Sequence, residues 1–397
     1  MRKLATGSGT NLSGVSEHNR RVILQALRLN GSMTRAEIAR STKLVPQTVS
    51  NLIEALKADG FVCSTGTIKG KRGQPATPYR IAKNGAFSLG IHIDKYGARA
   101  VALNLLGGIV CKHEAGFRLD GLKANLPTIR ELLARTMDGL PLDGDGNPPE
   151  IFGVGLAMPA ATGIHGGSDD PWMCAPRDAH PMLAALEGMT GKPVSLHHDA
   201  VAAASAERLN GAAIGVDNFV YVFIGYGLGA GIYVNGAPVN GYGHFAGEIG
   251  QIPVLDGNKP VRLEHIASLS ALCDRLGLDL NDAFLMQRLE AAMESQPAIV
   301  NDWLTSAATQ LSWLVDMVEC LIDPQFVVFG GSIPAPLLRR LCSLIDAIGA
   351  ATPALSGLVR PQLLPSFIGE YSVASGAAAF HLAMALDPSI SAIAKPI

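Results

Sequence analysis

The stretch Phe245–Val254 reads FAGEIGQIPV and sets one carboxylate, Glu248, between two glycines in an otherwise apolar run. Neighbours such as Phe245, Ala246, Ile249 and Ile252 argue for a half-buried acid rather than one on a solvated turn. A second acid, Asp199, follows His198 where the strand-like KPVSLHH gives way to the helical DAVAAASAERLNG. A helix N-terminus stabilises an aspartate as the anion, and such an anion can accept from a hydroxyl; the same residue can equally be an ordinary cap. Ionised carboxylates accept without donating, which suits a ligand dense in donors.

A different chemistry is written near the N-terminus. Gln47, Thr48, Ser50 and Asn51 form a short polar face near the start of a helical pattern, the residue types that read base edges in a major groove. Arg35 belongs with them as a DNA-directed residue. Lys69, Lys71 and Arg72, in a glycine-rich loop, can reach phosphates, and the run Arg72 to Pro75, with Gln74 inside it, suits a minor groove.

Three short helical patterns and a β-loop must position the polar face. In SEHNRRVILQALRLNG, Val22, Ile23, Leu24, Ala26, Leu27 and Leu29 make a broad apolar stripe, with Ser16 as the expected N-cap and Gly31 as the stop. Thr34 and Glu37 have capping-box spacing for the second helix, in which Ala36, Ile38 and Ala39 should face inward. Pro46 suits the first turn of the third, whose expected buried set is Val45, Val49, Leu52, Ile53 and Leu56. GFVCSTGTIKGKRGQPATPYRI then reads as two strands around a basic wing. A three-helix module that binds protein is the plainer alternative. From Ser88 onward, strands alternate with helices: SLGIHI, ARAVALNL and GIVCKHEAG, a helix around 125–140, IFGVGLAMP, KPVSLHH and its helix, NFVYVFIGYGLGAGIYVNG, helices between Glu264 and Leu321, QFVVFGG, and a closing helix from Ser372 to Leu386. That order indicates an α/β body. No repeat of 20–50 residues is visible.

The bulk numbers agree. The 397 residues exceed one compact core, and 48% hydrophobic with 17% charged residues is a globular composition. The net charge of −2 hides an asymmetry: residues 1–80 carry 13 basic and 4 acidic residues, the remainder 19 and 30. A basic head on an acidic body suggests a polyanion partner for the head alone. The six cysteines lack zinc-ligand or redox spacing, no apolar leader is visible and no run is long enough to span a membrane, so a cytoplasmic protein with reduced thiols is expected.

Taken together, these residues resemble the ROK family of repressors and sugar kinases. The likeness rests on NRRVILQALRLNGSMTRAEIARSTKLVPQTVSNLIEAL, RGQPATPYRI, GYGLGAGIYVNG, GYGHFAGEIGQIPV, VVFGGSI and SGAAAF. It implies an α+β winged helix at 15–83 and, at 84–397, an actin/hexokinase-like two-lobed body with a sugar between its lobes; family members with a DNA head are repressors, those without it kinases. The family's phosphate loop, Asp-x-Gly-Gly-Thr, is replaced here by His92-Ile93-Asp94-Lys95-Tyr96, which puts bulk and an acid where bare backbone must meet phosphates. ATP is therefore not expected, and no catalytic residue is assigned. The second loop, Gly225 to Gly231, keeps four glycines but carries Tyr226 where kinases have a small hydroxyl residue.

By the resemblance, Asp199 grips a sugar hydroxyl, with His198 in place of the family's asparagine. Glu248 accepts the hydroxyls of the sugar's first two carbons. Gln251 replaces a histidine that reaches a structural zinc, and Glu264 aligns with a glutamate close to the ligand. The Cys-rich zinc cluster that should follow is missing, so zinc is expected to be absent and no metal ligand is assigned. DDPWMCAPRDAH (169–180) departs from the family's pattern, and no residue is carried over from it. The implied protein is a homodimer or homotetramer on double-stranded operator DNA, with a small carbohydrate, polyol or sugar acid as effector.

Overall fold

The computed structural model describes residues 12–66, 76–94, 97–117, 122–142, 146, 148–159, 181–242, 245–280, 282, 284–351 and 360–388. The wing residues Lys69, Lys71, Arg72 and Gln74, the loop residues Lys95 and Tyr96, and the stretch 169–180 lie outside them.

The head is a winged helix. It comprises α1 (Leu12–Asn30), β1 (Met33–Thr34), α2 (Arg35–Thr42), α3 (Pro46–Ala58), β2 (Val62–Ser64) and β3 (Pro78–Ile81), with an antiparallel sheet of order β1-β3-β2. Gly31, at φ +75°, ends α1 as its spacing predicts. The capping box of α2 is formed: Thr34 Oγ1 accepts from Glu37 N, and Glu37 accepts from Thr34 N at 2.8 Å. Three expectations fail here. Ser16 is not the cap of α1, which starts at Leu12, so the serine sits inside the helix. Leu29 and Ala36 face solvent, because the apolar stripe of each short helix is narrower than its composition suggests. Val45 is 67% exposed. It precedes a proline and takes extended backbone (φ −63°, ψ 142°) as the N-cap of α3, so the helical period does not extend to it.

The body repeats one plan twice. The first lobe comprises β4 (Phe87–Asp94), β5 (Gly97–Asn104), β6 (Ile109–Gly116), α4 (Leu122–Asp138), β7 (Ile151–Met158), α5 (Pro181–Thr190), β8 (Val194–His198) and α6 (Asp199–Asn210). The second comprises β9 (Phe219–Ile224), β10 (Leu228–Val234), β11 (Ala237–Pro238), β12 (Pro253–Asp256), β13 (Lys259–Arg262), α7 (Glu264–Ala267), α8 (Leu269–Leu276), α9 (Leu285–Ser295), α10 (Pro297–Ile322), β14 (Phe326–Gly331), α11 (Ala335–Ala351), β15 (Gln362–Pro365) and α12 (Ser372–Leu386). The two five-stranded sheets, β6-β5-β4-β7-β8 and β11-β10-β9-β14-β15, have the same order, an antiparallel meander followed by two parallel strands. The sequence shows no such duplication, because topology depends on which strands pair and not on which side chains they carry.

The lobes are joined by crossed helices. α6 leaves the first sheet and packs on β9 and β10 of the second; α12 leaves the second and packs on β4 and β7 of the first; the two helices pack on each other. Their alanine-rich sequences follow from the closeness of these contacts. A Cβ at Gly376 would lie 1.5 Å from Ala202 O, and one at Gly90 would lie 1.9 Å from Ala374 O. The head does not stand apart: Ile23, Leu27 and Ile53 share one hydrophobic cluster with Val101 and Leu103 of β5, Leu209 of α6 and Leu382 of α12.

Candidate effector cleft and DNA-reading face

Three acids converge where α6 begins. Asp199 is its first residue, and His198 is the N-cap, with no side-chain capping bond. Asp199 Oδ1 accepts from Ala200 N at 2.9 Å. Burial, then the charges of Glu248 and Asp94, push the Asp199 carboxyl up to about 7 against the opposing backbone hydrogen bond. This corrects the expectation that the helix N-terminus holds Asp199 as an anion. The dipole contributes only about 0.3–1 kcal/mol at an exposed end, too little against desolvation and two like charges.

Glu248 is delivered by a turn pressed onto β10. Gly247, at φ +94°, would place a Cβ 2.0 Å from Ala230 O, and its own carbonyl accepts from Ala230 N at 2.7 Å. The carboxylate keeps about a fifth of its surface exposed and lies 3.8 Å from His198 Nδ1. Of the expected apolar surroundings Ile249 is buried, whereas Phe245 is half exposed.

Gln251 and Glu264 form a second pair. Gln251 Nε2 donates to Glu264 Oε1 at 2.7 Å, and Arg262 Nη1 donates to the Gln251 carbonyl at 2.7 Å. Glu264 is buried; desolvation raises its pKa, the bond from Gln251 opposes the rise, and the charge of Glu248 adds to it. Between the pair the chain runs through the β12–β13 hairpin, which turns at Asp256–Lys259. These residues do not fit a structural zinc: the amide of Gln251 is engaged by Glu264, and no thiolate lies in the connecting chain. Among the described residues, no group of three or more His, Cys, Asp or Glu is arranged to hold a metal.

Asp94 Oδ1 accepts from Gly97 N at 3.1 Å, and its charge bears on Asp199. His92, two residues back on the same strand face, is 7% exposed and its Nε2 has no hydrogen-bond partner in the structure. Burial lowers its pKa, so it is a neutral imidazole. Asp94 was legible as a lost phosphate-loop glycine but not as a member of the acid cluster. Beneath the cleft, Ser195 Oγ lies 2.8 Å from His197 Nε2 and 3.0 Å from His381 Nε2, tying β8 to α12. Burial, with His381 and His198 nearby, holds the His197 pKa down to about 3, so His197 is a neutral imidazole. Histidine spacing alone gave no signal for this network.

On the head, Gln47 Nε2 donates to Asn51 Oδ1 at 3.0 Å, an exposed pair one helical turn apart. Thr48 and Ser50 are half-buried beside them. Val45 adds an apolar side chain to this face that the sequence reading missed; a residue before proline at a helix start was the available signal. Arg35 is engaged inside the head, paired with Glu54 and lying 5.1 Å over the Tyr79 ring.

A winged helix fused to a two-lobed, sugar-kinase-like α/β body defines the class. Residues 126–381, more than half the chain, match the ROK family, and residues 16–62 match the winged helix-turn-helix DNA-binding family. The chain belongs to the ROK family and carries a winged helix-turn-helix head. It is 26% identical over 340 residues to a putative xylose repressor of a Caldicellulosiruptor species, covering 80% of this chain and 83% of that one. It is 22% identical over 389 residues to the DNA-binding transcriptional repressor Mlc of Escherichia coli, covering 92% and 90%. A crystal structure of a ROK family transcriptional regulator, a homologue of that protein, superposes with a TM-score of 0.72 at 18% identity, covering 94% of this chain and 98% of the other. Among the described residues no helix is long and apolar enough to cross a membrane.

Proposed function

We propose that the chain is a cytoplasmic transcriptional regulator, a repressor in its simplest form, whose hold on operator DNA is set by a small sugar or polyol in the cleft. Winged heads of this kind dock the start of their recognition helix in a major groove and work in pairs on half-sites. Asp199 and Glu248 accept from ligand hydroxyls, and His198 and Gln251 shape the donor pattern around them. Glu264 positions Gln251. With Asp94 they make the cleft acidic, which favours a neutral ligand over a sugar acid or a sugar phosphate.

The observation that carries the coupling is a single helix. α6 begins at Asp199, and near its far end the Leu209 carbonyl accepts from Arg28 Nη2 of the head at 2.9 Å. Its 12 residues span about 18 Å. A ligand that draws the lobes together moves α6 against α12, and the head follows through Arg28 and the shared core. The effect is allosteric if the ligand binds the DNA-compatible and incompatible placements with different affinity.

Phosphotransfer is not part of this reading, since Asp94 and Lys95 stand where the phosphate loop needs glycine. Robust phosphorylation of any member of a sugar panel by ATP overturns that. The function itself is tested by a thermal-shift screen of neutral sugars and polyols, followed by binding to duplexes the protein selects from a random pool. A ligand that raises the melting temperature should change DNA affinity by roughly 5–150-fold. If none stabilises while DNA binding persists, the cleft is vestigial and the chain is a ligand-independent DNA binder.

A further inference from the structure

Val45 breaks a local rule that the head keeps elsewhere. It is the N-cap of α3, yet its side chain makes no capping bond. Ser, Thr, Asp and Asn lead at that position and valine ranks far below them, because an aliphatic side chain cannot accept from the first amide groups of the helix. The neighbouring α2 shows the usual solution, a complete capping box between Thr34 and Glu37. Val45 gains no burial in return: it is 67% exposed, whereas Val49, one turn on, is fully buried. A stabilising device given up at an exposed position points to a use outside the fold.

Its place says what that use is. Val45 opens the helix that presents Gln47 and Asn51, both exposed and hydrogen-bonded to each other at 3.0 Å. Gln and Asn side chains are the ones that pair with N6 and N7 of adenine in a major groove. The base opposite adenine carries the groove's distinctive apolar group, the 5-methyl of thymine, and an apolar side chain is what recognises it. Pro46 holds the backbone at Val45 extended (φ −63°, ψ 142°), and a β-branched side chain is stiff at χ1, so the two methyl groups are presented in a fixed direction. We propose that Val45 reads the 5-methyl group of a thymine in each half-site, beside the adenine contacted through Gln47 and Asn51. This rests on the function proposed above only in taking the head to bind DNA.

The test compares duplexes that differ by one methyl group. A duplex that the full chain selects from a random pool is resynthesised with deoxyuridine in place of each thymine in turn, which deletes the 5-methyl and leaves the base pairing intact. The wild-type chain should lose about fourfold in affinity at one thymine of each half-site, the worth of one buried CH₂. Val45→Ser should bind the thymine and deoxyuridine duplexes alike, and Val45→Ile should keep the preference for thymine. Because serine is the better N-cap, Val45→Ser should also melt higher than the wild type, which separates a lost contact from a damaged fold. A wild-type chain indifferent to every deoxyuridine substitution, or a Val45→Ser chain that keeps the full preference, overturns the proposal and leaves the head a DNA binder. A chain that selects no duplex overturns that reading of the head, and this proposal with it.

Discussion

The reading face of α3 and the acid cluster of the cleft are both polar surfaces meant for a ligand, and they are built in opposite ways. Gln47 and Asn51 stand in solvent on one helix, hydrogen-bonded to each other, and their placement follows from local sequence. Asp199, Glu248 and Asp94 come from three separate elements and meet only because α6 and a glycine turn are pressed against sheets. An exposed face tolerates substitution and trades in specificity; a buried cluster is coupled, and removing one member changes the charge state of the others.

The largest expected effect breaks the cleft and spares the reading face. Gly376→Val has no room against Ala202 O and should cost about 3 kcal/mol or more, seen as a lower denaturant midpoint. The α3 face, remote from that contact, should keep its base preference in whatever fraction remains folded.

Asp199→Asn sharpens the contrast. It should cost about 1.5–3 kcal/mol of effector affinity, the range for a hydrogen bond to a charged group, with no change in DNA sequence preference. Titration calorimetry against the sugar found by screening measures it. The pH dependence has a definite sign. Because the folded carboxyl is raised to about 7, the native state binds an extra proton between the ordinary aspartate range and pH 7. Its contribution to stability is therefore present at acid pH and lost as pH rises through about 7; Asp199→Asn should remove that slope. Ligand binding runs the other way. If the anion is the acceptor, affinity should fall about tenfold from pH 8 to pH 6, and a profile flat in the wild type would contradict the role.

Arg28→Met tests what joins the two regions. Each site should bind its own ligand nearly as before, while the effector's influence on DNA affinity, about 1–3 kcal/mol if the chain behaves as a regulator, should shrink. Electrophoretic mobility shifts with and without effector report it. Smaller again, Gln47→Ala should change base preference at one position of each half-site by about 1 kcal/mol and leave the salt dependence alone. Loss of the capping box in Thr34→Ala should cost roughly 1 kcal/mol of stability, read as a modest fall in melting temperature.

Much of the head was legible because its signals are local. A capping box, a glycine stop and a proline at a first turn act within a few residues, so α2 and α3 appear where the sequence places them. The errors have local causes too: Val45 lies outside the helical period that seemed to include it, and α1 begins before its apparent cap. In the body, the element order and the strand-to-helix junction at His198–Asp199 were readable from periodicity. The repeated sheet plan was not, nor was the Ser195–His197–His381 network, because pairing partners far apart in the chain leave no mark on spacing.

By itself, then, the sequence determined the kinds of element, their order and the residues available for chemistry: a polar helix face, a glycine-framed glutamate, an aspartate at a helix start and a phosphate loop without its glycines. Only the tertiary structure decided their states. It brought Asp94 and Glu248 to bear on Asp199 and so raised a carboxyl that local reasoning held to be anionic, it turned Gln251 toward Glu264, and it hung the head on the far end of the helix that Asp199 begins. The physical reason is range. Backbone preferences and caps act over one turn of chain, whereas desolvation and Coulomb interaction depend on what packs nearby in space, whatever its distance in sequence.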